Sequence, residues 1–482
     1  MPPSTCLRSF SRLSIDVTAQ TSIAQRLGRP QVALFTTSAT RHATAPKRKG
    51  MTAAPKKGVK SLNTKKSRKA AAMDTGKRPA QGERKALRKR IVLSNNNALE
   101  VSSLKNLSKD NVLSEQNEGK VMGLPEEEVV DALRAVDAFK ATQGWGLFRR
   151  PAVLMRKEAI QLAKLLREVE GSRTGQQKKT IRRILSGERM SGKSTLLLQG
   201  LSMGFLRDWF VISLPEAQDI VNAHTEYAPL PNSNPTQYTQ DTYTANLLQQ
   251  IQKANSRFLE STKLSTKPML DIPLKPNATL KELVAVGTAN PEASWPVFVA
   301  LWNELSQPGR PSIMLAIDGL SHAMRNSEYL SAEVKPIHAH DLTLIRHFVD
   351  HLSGQKKLPN GGIVLAATSK SNSPTSAALD FCVEVAEARQ NAPDNIPQWN
   401  PYKNVDARVM ETLKDLNTDS TDLDVIRVGG LTKNEARAIM EYYAESGLLR
   451  HTVNEGFVSE KWSLAGMGNI GELERTSVRL RI

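Results

Sequence analysis

An eight-residue loop with the sequence GERMSGKS, at residues 187–194, most constrains the fold of this 482-residue chain. It matches the phosphate-binding pattern G-x-x-x-x-G-K-[ST], which joins a strand to a helix. Glycines let backbone N–H groups close around an anion, and the helix that follows directs its positive end at the phosphates. The lysine of this pattern contacts the β- and γ-phosphates. We expect nine consecutive residues to bind a nucleotide: Gly187, Glu188, Arg189, Met190, Ser191, Gly192, Lys193, Ser194 and Thr195.

A carboxylate that follows an apolar run is the second expected part of this site. Asp318 ends the run at residues 312–317. A strand that ends beside the phosphate loop lets such a carboxylate contact a magnesium ion or its water. The sequence therefore predicts that Ser194 and Asp318 hold Mg²⁺. Gly319 comes next, where many ATPases with this order of motifs have a glutamate that activates water, so we expect binding with weak or absent hydrolysis. If hydrolysis occurs, Glu328 and Glu333 are the first candidates for a base.

Short apolar runs alternate with helical stretches along the chain. Runs of this length are typical of the buried parallel strands of an α/β sheet. The first run is the weakest because Arg182 and Arg183 interrupt it, yet a P-loop fold requires its first strand there. The runs lie at residues 180–185, 209–214, 312–317, 362–368 and 425–428.

Helical patterns flank these runs on both sides. Residues 125–142 predict an amphipathic helix, and a second helix follows at about residues 156–170. Near the other end, Thr432 and Glu435 form a capping box before a helix that ends at Gly447. We predict a transit peptide at 1–45, a disordered basic arm at 46–95, a helical lead-in at 96–175, a P-loop nucleotide-binding domain at 176–385, and a C-terminal helical domain at 386–482 that lies over the nucleotide.

The net charge of +18 is concentrated in one segment. Residues 1–46 carry net +4 and residues 47–90 carry net +15, which leaves −1 for the rest of the chain. The basic segment lacks aromatic residues and cannot build its own core, so we expect it to be disordered until an anionic partner orders it. Nucleic-acid phosphate fits this composition best, and a solubilising or targeting tail is the alternative.

The first 45 residues have the composition of a mitochondrial transit peptide. They contain five arginines, many serines and threonines, and Asp16 as the single acid. No apolar run reaches the roughly 20 residues that a membrane span needs, so we expect no membrane span. If the transit segment is removed together with Cys6, Cys382 stays alone, which argues against disulfides and a cysteine zinc site.

Three further observations concern polar residues outside the two motifs and the identity of the nucleotide base. Thr368 and Ser369 follow a predicted strand, where they either sense the γ-phosphate or cap the strand. His347 and His351 are four residues apart on a predicted helix, but the glutamate of zincin-type motifs is absent, so we expect no metal. The Asn-Lys-x-Asp element that small GTPases use for guanine does not follow Asp318, so these motifs leave the base open.

Several ordered segments resemble the death-associated protein three family, a mitochondrial small-subunit ribosomal protein family related to AAA-type P-loop ATPases. The resemblance covers roughly residues 120–480. The segments are GERMSGKSTLL, WFVISLPEAQDIVN, IMLAIDGLSHAMRNSEY, DLTLIRHF, IRVGGLTKNEARAIMEYY and GNIGELER. It implies an AAA-like P-loop NTPase fold, to which the C-terminal helical domain predicted above adds a lid.

The same resemblance implies a structural constituent of the mitochondrial small ribosomal subunit, located in the matrix and in the head of that subunit. It implies a bound guanine nucleotide, GTP or GDP, and contacts with small-subunit rRNA and other mitochondrial ribosomal proteins. ATP stays an alternative ligand. Two other functions stay open: an active mitochondrial ATPase or GTPase, and an apoptosis-linked nucleotide switch. Gly319 disfavours the active enzyme, and the basic arm favours the ribosomal interpretation.

Overall fold

The computed structural model describes residues 91–125, 127–171, 178–266, 268–370, 376–391, 393, 395–402, 405–417 and 423–479. The predicted transit peptide and residues 46–90 of the predicted arm lie outside the described residues. Both therefore stay predictions.

The central feature of the described residues is a five-stranded parallel sheet, as the apolar runs predicted. Along the sheet the strands lie in the order β11-β3-β10-β7-β4, so that β3, the first of them in the chain, lies between β11 and β10. This is an α/β fold of the P-loop NTPase type. The other strands form antiparallel pairs β1/β2, β5/β6 and β8/β9. In chain order the strands are β1 (Val121–Gly123), β2 (Ala152–Leu154), β3 (Thr180–Gly187), β4 (Phe210–Leu214), β5 (Ala228–Pro229), β6 (Tyr238–Thr239), β7 (Ile313–Asp318), β8 (Asn326–Leu330), β9 (Pro336–His338), β10 (Gly362–Ala367) and β11 (Leu423–Val428).

The two arginines of β3 do not prevent a central strand. Every residue of β4, β7 and β10 is buried, which explains their continuous apolar sequences. Arg182 is also buried, and its guanidinium bonds the Leu352 carbonyl at 3.1 Å and Asp415 Oδ2 at 3.0 Å. A paired charge with satisfied donors is tolerated inside a protein, so the interruption of the apolar pattern did not move the strand.

Helices cover both faces of the sheet. Successive strand residues alternate between two hydrophobic clusters: Ile212 and Leu315 face α5, α7, α8, α10 and α11, whereas Val211 and Met314 face α1, α2 and α3. The helices are α1 (Glu127–Ala135), α2 (Lys157–Gly171), α3 (Lys193–Leu206), α4 (Ala217–Val221), α5 (Asp241–Ala254), α6 (Ser256–Ser261), α7 (Leu280–Ala289), α8 (Ser294–Leu305), α9 (Leu320–Ala323), α10 (Thr343–Leu352), α11 (Ala377–Asn391), α12 (Ala407–Thr412), α13 (Lys433–Glu445), α14 (Glu455–Leu464) and α15 (Ile470–Glu474).

The helix predicted at residues 125–142 is shorter than its pattern. α1 ends at Ala135, and Asp137 takes a positive φ of +50° that interrupts the helical conformation. Residues 138–144 form a turn instead, and Gln143 of this turn donates to Thr195 Oγ1 in the first turn of α3 at 3.2 Å.

A third hydrophobic cluster joins the C-terminal helices to the segment before the sheet. α13, α14 and α15 pack with Phe148 and Leu154. The predicted capping box is present: Thr432 Oγ1 accepts from the Glu435 N–H at 3.2 Å, and Glu435 Oε2 accepts from the Thr432 N–H at 2.8 Å. The Gly471 N–H of α15 donates to the Met190 carbonyl at 3.1 Å, which places this helix beside the loop at the carboxyl end of β3. No helix in the part of the chain that the structure describes has the length and apolar character to cross a membrane.

Candidate phosphate-binding site

The loop between β3 and α3 has the backbone of a compact anion-binding turn. Gly187 has a φ of +153°, and a Cβ at this position would come within 2.4 Å of the Val428 carbonyl oxygen. Only glycine therefore fits between β3 and the end of β11. Met190 and Gly192 also have positive φ angles, +62° and +98°, immediately before α3 begins at Lys193. The loop thus turns directly into the N-terminus of a 14-residue helix.

Lys193 folds back into this loop. Its Nζ donates to the Gly187 carbonyl at 2.8 Å and to the Glu188 carbonyl at 2.7 Å. Burial, together with the nearby Lys370, lowers the pKa of Lys193 to about 8, although Asp318 and Glu188 partly oppose this effect. A bound phosphate would restore the preference for the charged ammonium, because an opposite charge at short range favours the ionised form.

Ser194 and Asp318 meet where the end of β7 lies beside the start of α3. Asp318 is 8% exposed at the end of β7, and a hydrogen bond joins it to the Ser194 side chain. Burial raises the pKa of Asp318, whereas Lys140 and the Ser194 hydrogen bond lower it. The Lys140 ammonium lies 3.8 Å from Asp318 Oδ2 and 3.3 Å from Glu216 Oε1.

The donor set fits the expected ligands. Ser191 Oγ is buried and has no hydrogen-bond partner among the described residues, so a phosphate oxygen would satisfy it. The Lys193 ammonium and the helix N-terminus supply positive charge beside this hydroxyl. The Ser194 hydroxyl and the Asp318 carboxylate are the oxygen ligands that Mg²⁺ prefers.

A buried arginine supports the loop from the lead-in segment. Arg156 donates from Nη1 to the Ser191 carbonyl at 2.9 Å and from Nη2 to the Gly429 carbonyl at 2.7 Å. Its Nε lies 3.3 Å from Glu158 Oε2, which balances the buried charge. Arg156 thereby joins the phosphate loop to the residue after β11.

The C-terminal segment also contacts the loop. Asn469 Nδ2 donates to the Arg189 carbonyl at 2.8 Å, and the Gly471 N–H donates to the Met190 carbonyl at 3.1 Å. Asn469 also caps α15, because its Oδ1 accepts from the Gly471 N–H at 3.2 Å and the Glu472 N–H at 3.4 Å. The Asn469 side chain therefore both caps the N-terminus of α15 and bonds the phosphate loop.

The other polar candidates differ in their surroundings. Thr368 donates from its N–H and its Oγ1 to the Leu185 carbonyl, at 3.0 and 3.1 Å, which is the arrangement of a strand cap. Gly319 has a φ of +79° and donates its N–H to the Ala367 carbonyl at 3.0 Å. The structure places Glu328 and Glu333 on the β8/β9 hairpin in exposed ion pairs with Arg325 and Lys335. Glu216, which the sequence did not suggest, is the carboxylate near Asp318 instead.

The histidines belong to packed interior regions. His347 and His351 lie edge-on to Trp302, with ring centroids 4.3 and 4.8 Å away, and His351 Nδ1 lies 2.7 Å from the His347 carbonyl oxygen. Burial lowers the pKa of both, that of His347 most strongly. Across the described ranges, no group of three or more His, Cys, Asp or Glu side chains is arranged to hold a metal.

Four residues of this site escaped prediction: Lys140, Arg156, Glu216 and Asn469. Each lies outside the two contiguous motifs. For Glu216 a signal existed, because it comes two residues after the end of β4, which pairs with β7. For Asn469, a capping residue before the segment IGELE was a second usable signal.

Comparison with known proteins agrees with the resemblance found in the sequence. A family model described as mitochondrial ribosomal death-associated protein 3 matches residues 153–476. The small ribosomal subunit protein mS29 of Neurospora crassa is 41% identical to this chain over 484 residues, which cover 99% of each protein. The matched range includes the phosphate loop, Asp318 and Asn469. The chain belongs to the mitochondrial ribosomal death-associated protein 3 family.

Proposed function

We propose that this protein is a structural constituent of the small subunit of the mitochondrial ribosome. The observation that carries the proposal is the end-to-end similarity to a small ribosomal subunit protein, with 99% of both chains covered. The transit-like residues 1–45 and the cationic segment 47–90 support a mitochondrial address, in the matrix, and contacts with small-subunit rRNA. Other ribosomal proteins would be its neighbours.

The phosphate loop supports a second part of the proposal, a retained guanine nucleotide with Mg²⁺. When bound, the nucleotide would supply the anionic charge that the Lys193 ammonium and the Ser191 hydroxyl face. Ser194 and Asp318 would hold the ion. The choice of GTP or GDP over ATP rests on the family resemblance, and extraction of the bound nucleotide followed by chromatography decides between them.

Slow or absent hydrolysis completes the proposal. Gly319 provides no carboxylate beside Asp318, and Glu216 is paired with Lys140. We expect turnover by the isolated protein far below the ~1–100 s⁻¹ of working phosphoryl-transfer enzymes. Steady hydrolysis within that range would favour the alternative of an active ATPase or GTPase.

Co-sedimentation tests the ribosomal role. Mitochondrial extract is fractionated on a sucrose gradient in high salt, and the protein is followed by antibody. A structural constituent stays with the small subunit, because its contacts are extensive and partly buried. A nucleotide-dependent factor or a signalling switch leaves the subunit as salt screens its charges.

Substitution of Lys193 tests the nucleotide. Lys193→Ala removes the ammonium inside the loop, so the purified variant is expected to lose its bound nucleotide. If the nucleotide is structural, the variant also melts at a lower temperature, since a ligand at a hundredfold excess over its Kd stabilises by about 2.7 kcal/mol. Unchanged nucleotide content, measured after acid extraction, would refute the site. Lys281→Ala is the matched control, because Lys281 forms an exposed ion pair with Glu260 and is not among the residues of the site.

A further inference from the structure

Lys140 brings a positive charge to the point where Ser194 and Asp318 meet. Its side chain is 16% exposed, and its ammonium donates to the Pro215 carbonyl in addition to its ion pair with Glu216. A lysine that is this enclosed is held in place by its partners, unlike a surface lysine.

The turn that carries Lys140 is fixed to the phosphate-loop helix. The Lys140 N–H donates to Gln143 Oε1 at 2.9 Å, and Gln143 Nε2 donates to Thr195 Oγ1 at 3.2 Å. Trp145 Nε1 also donates to Gln143 Oε1, so the orientation of the amide is determined by its partners. Lys140 is therefore positioned from the first turn of α3.

The charges around Ser194 and Asp318 favour the Lys140 ammonium over a divalent ion. A small pocket lies here; among the described residues that line it, Lys140 carries the positive charge, Asp137 and Asp318 carry the negative charges, and Ser194 and Ser213 lie beside them. A divalent ion held by Ser194 and Asp318 would be repelled by the ammonium, and the ammonium already neutralises part of the attraction of Asp318 for that ion.

We propose that Lys140 acts as a built-in counter-cation beside the metal position, so that the Mg²⁺ that Ser194 and Asp318 would hold adds little to the affinity for the nucleotide. This inference rests on the proposed nucleotide function and deepens it. Removal of the ammonium leaves Asp318 and Glu216 without their shared partner, so a divalent ion gains affinity for the site. The charge of Lys140, and not its aliphatic stem, carries the effect.

The test measures binding of GDP by isothermal titration calorimetry, once with Mg²⁺ and once with EDTA. For the unmodified protein the two affinities are expected to differ by less than about tenfold, which corresponds to about 1.4 kcal/mol. Lys140→Met keeps the stem and removes the charge, so its affinity ratio rises above about tenfold. Lys140→Arg keeps the charge and retains the low ratio. Lys281→Met is the control, because Lys281 forms an exposed pair with Glu260.

Two results overturn the role of Lys140. One is GDP binding by the unmodified protein that requires Mg²⁺, and this measurement stands even if Lys140→Met fails to fold. The other is an equal affinity ratio for the unmodified protein and Lys140→Met. Absence of GDP binding under both conditions overturns the nucleotide function itself and this inference with it, so the two failures are distinguishable.

Discussion

Gly319 is the residue on which the proposed slow hydrolysis depends. It comes directly after Asp318 and has a left-handed backbone conformation, and its N–H donates to the carbonyl of Ala367 at the end of β10. The position that carries a glutamate in many ATPases is here part of a turn into α9. A side chain at residue 319 would therefore have to adopt a conformation that L-amino acids disfavour.

Substitution of this glycine is expected to cost stability. Gly319→Ala places an L side chain at a φ of +79°, and its Cβ meets nothing closer than 3.5 Å. The cost is then conformational, about 1–2 kcal/mol in the free energy of unfolding. Gly429→Ala is the matched control, since that glycine has no positive φ and an added Cβ there would meet no atom within 4 Å. Chemical denaturation of both variants measures the difference, and equal values would contradict this explanation.

The residues that sequence reasoning found share one property: they belong to short contiguous motifs. Lys193 and Asp318 lie in the predicted places because a phosphate loop and a strand end are local patterns. Lys140 was missed because the apolar spacing of residues 125–142 continues past the true end of α1. The positive φ of Asp137 ends that helix, and hydrophobic spacing does not report a backbone angle.

At the scale of elements, α15 and the loop before it act on a part of the chain far away in sequence. The hydrogen bond from Asn469 to the Arg189 carbonyl spans 280 residues. The five parallel strands could be predicted because buried strands have continuous apolar sequences. A contact between a capping side chain and a distant loop leaves no such periodic signal.

Asn469→Asp separates the two tasks of this side chain. The carboxylate still accepts the N–H groups that cap α15, but it cannot donate to the Arg189 carbonyl. We expect weaker retention of nucleotide and a loss of about 1 kcal/mol in the free energy of unfolding. Asn454→Asp is the control, because Asn454 caps α14 through the Phe457 N–H at 2.8 Å and does not touch the loop. Comparable nucleotide contents in the two variants would show that the loop contact is dispensable.

At the scale of the whole molecule, charge separates one segment from the remainder. Residues 47–90 carry net +15, whereas the chain from residue 91 onward sums to about −1. The described residues therefore have little overall electrostatic attraction for RNA. Folding and RNA attraction are predicted to reside in different parts of the chain.

Deletion of residues 47–90, with the transit segment retained, is expected to leave nucleotide binding intact and to weaken incorporation into the small subunit. A variant in which the lysines and arginines of this segment become glutamine keeps its length and serves as the matched comparison. Binding of the isolated segment to RNA should fall with salt, with a slope of roughly −0.7 to −0.9 per phosphate neutralised. If both variants assembled normally into the small subunit on sucrose gradients, the segment would serve as a linker and not as an RNA-binding element.

The phosphate loop is held by parts of the chain that are made at very different times. Arg156 precedes it, Gly429 follows β11, and Asn469 comes 280 residues after Arg189 of the loop. A chain that emerges N-terminus first lacks the last two of these supports until Gly429 and Asn469 have been made. We therefore expect the loop to reach its supported form late in folding, and the nucleotide proposed above to be captured after Asn469 is in place.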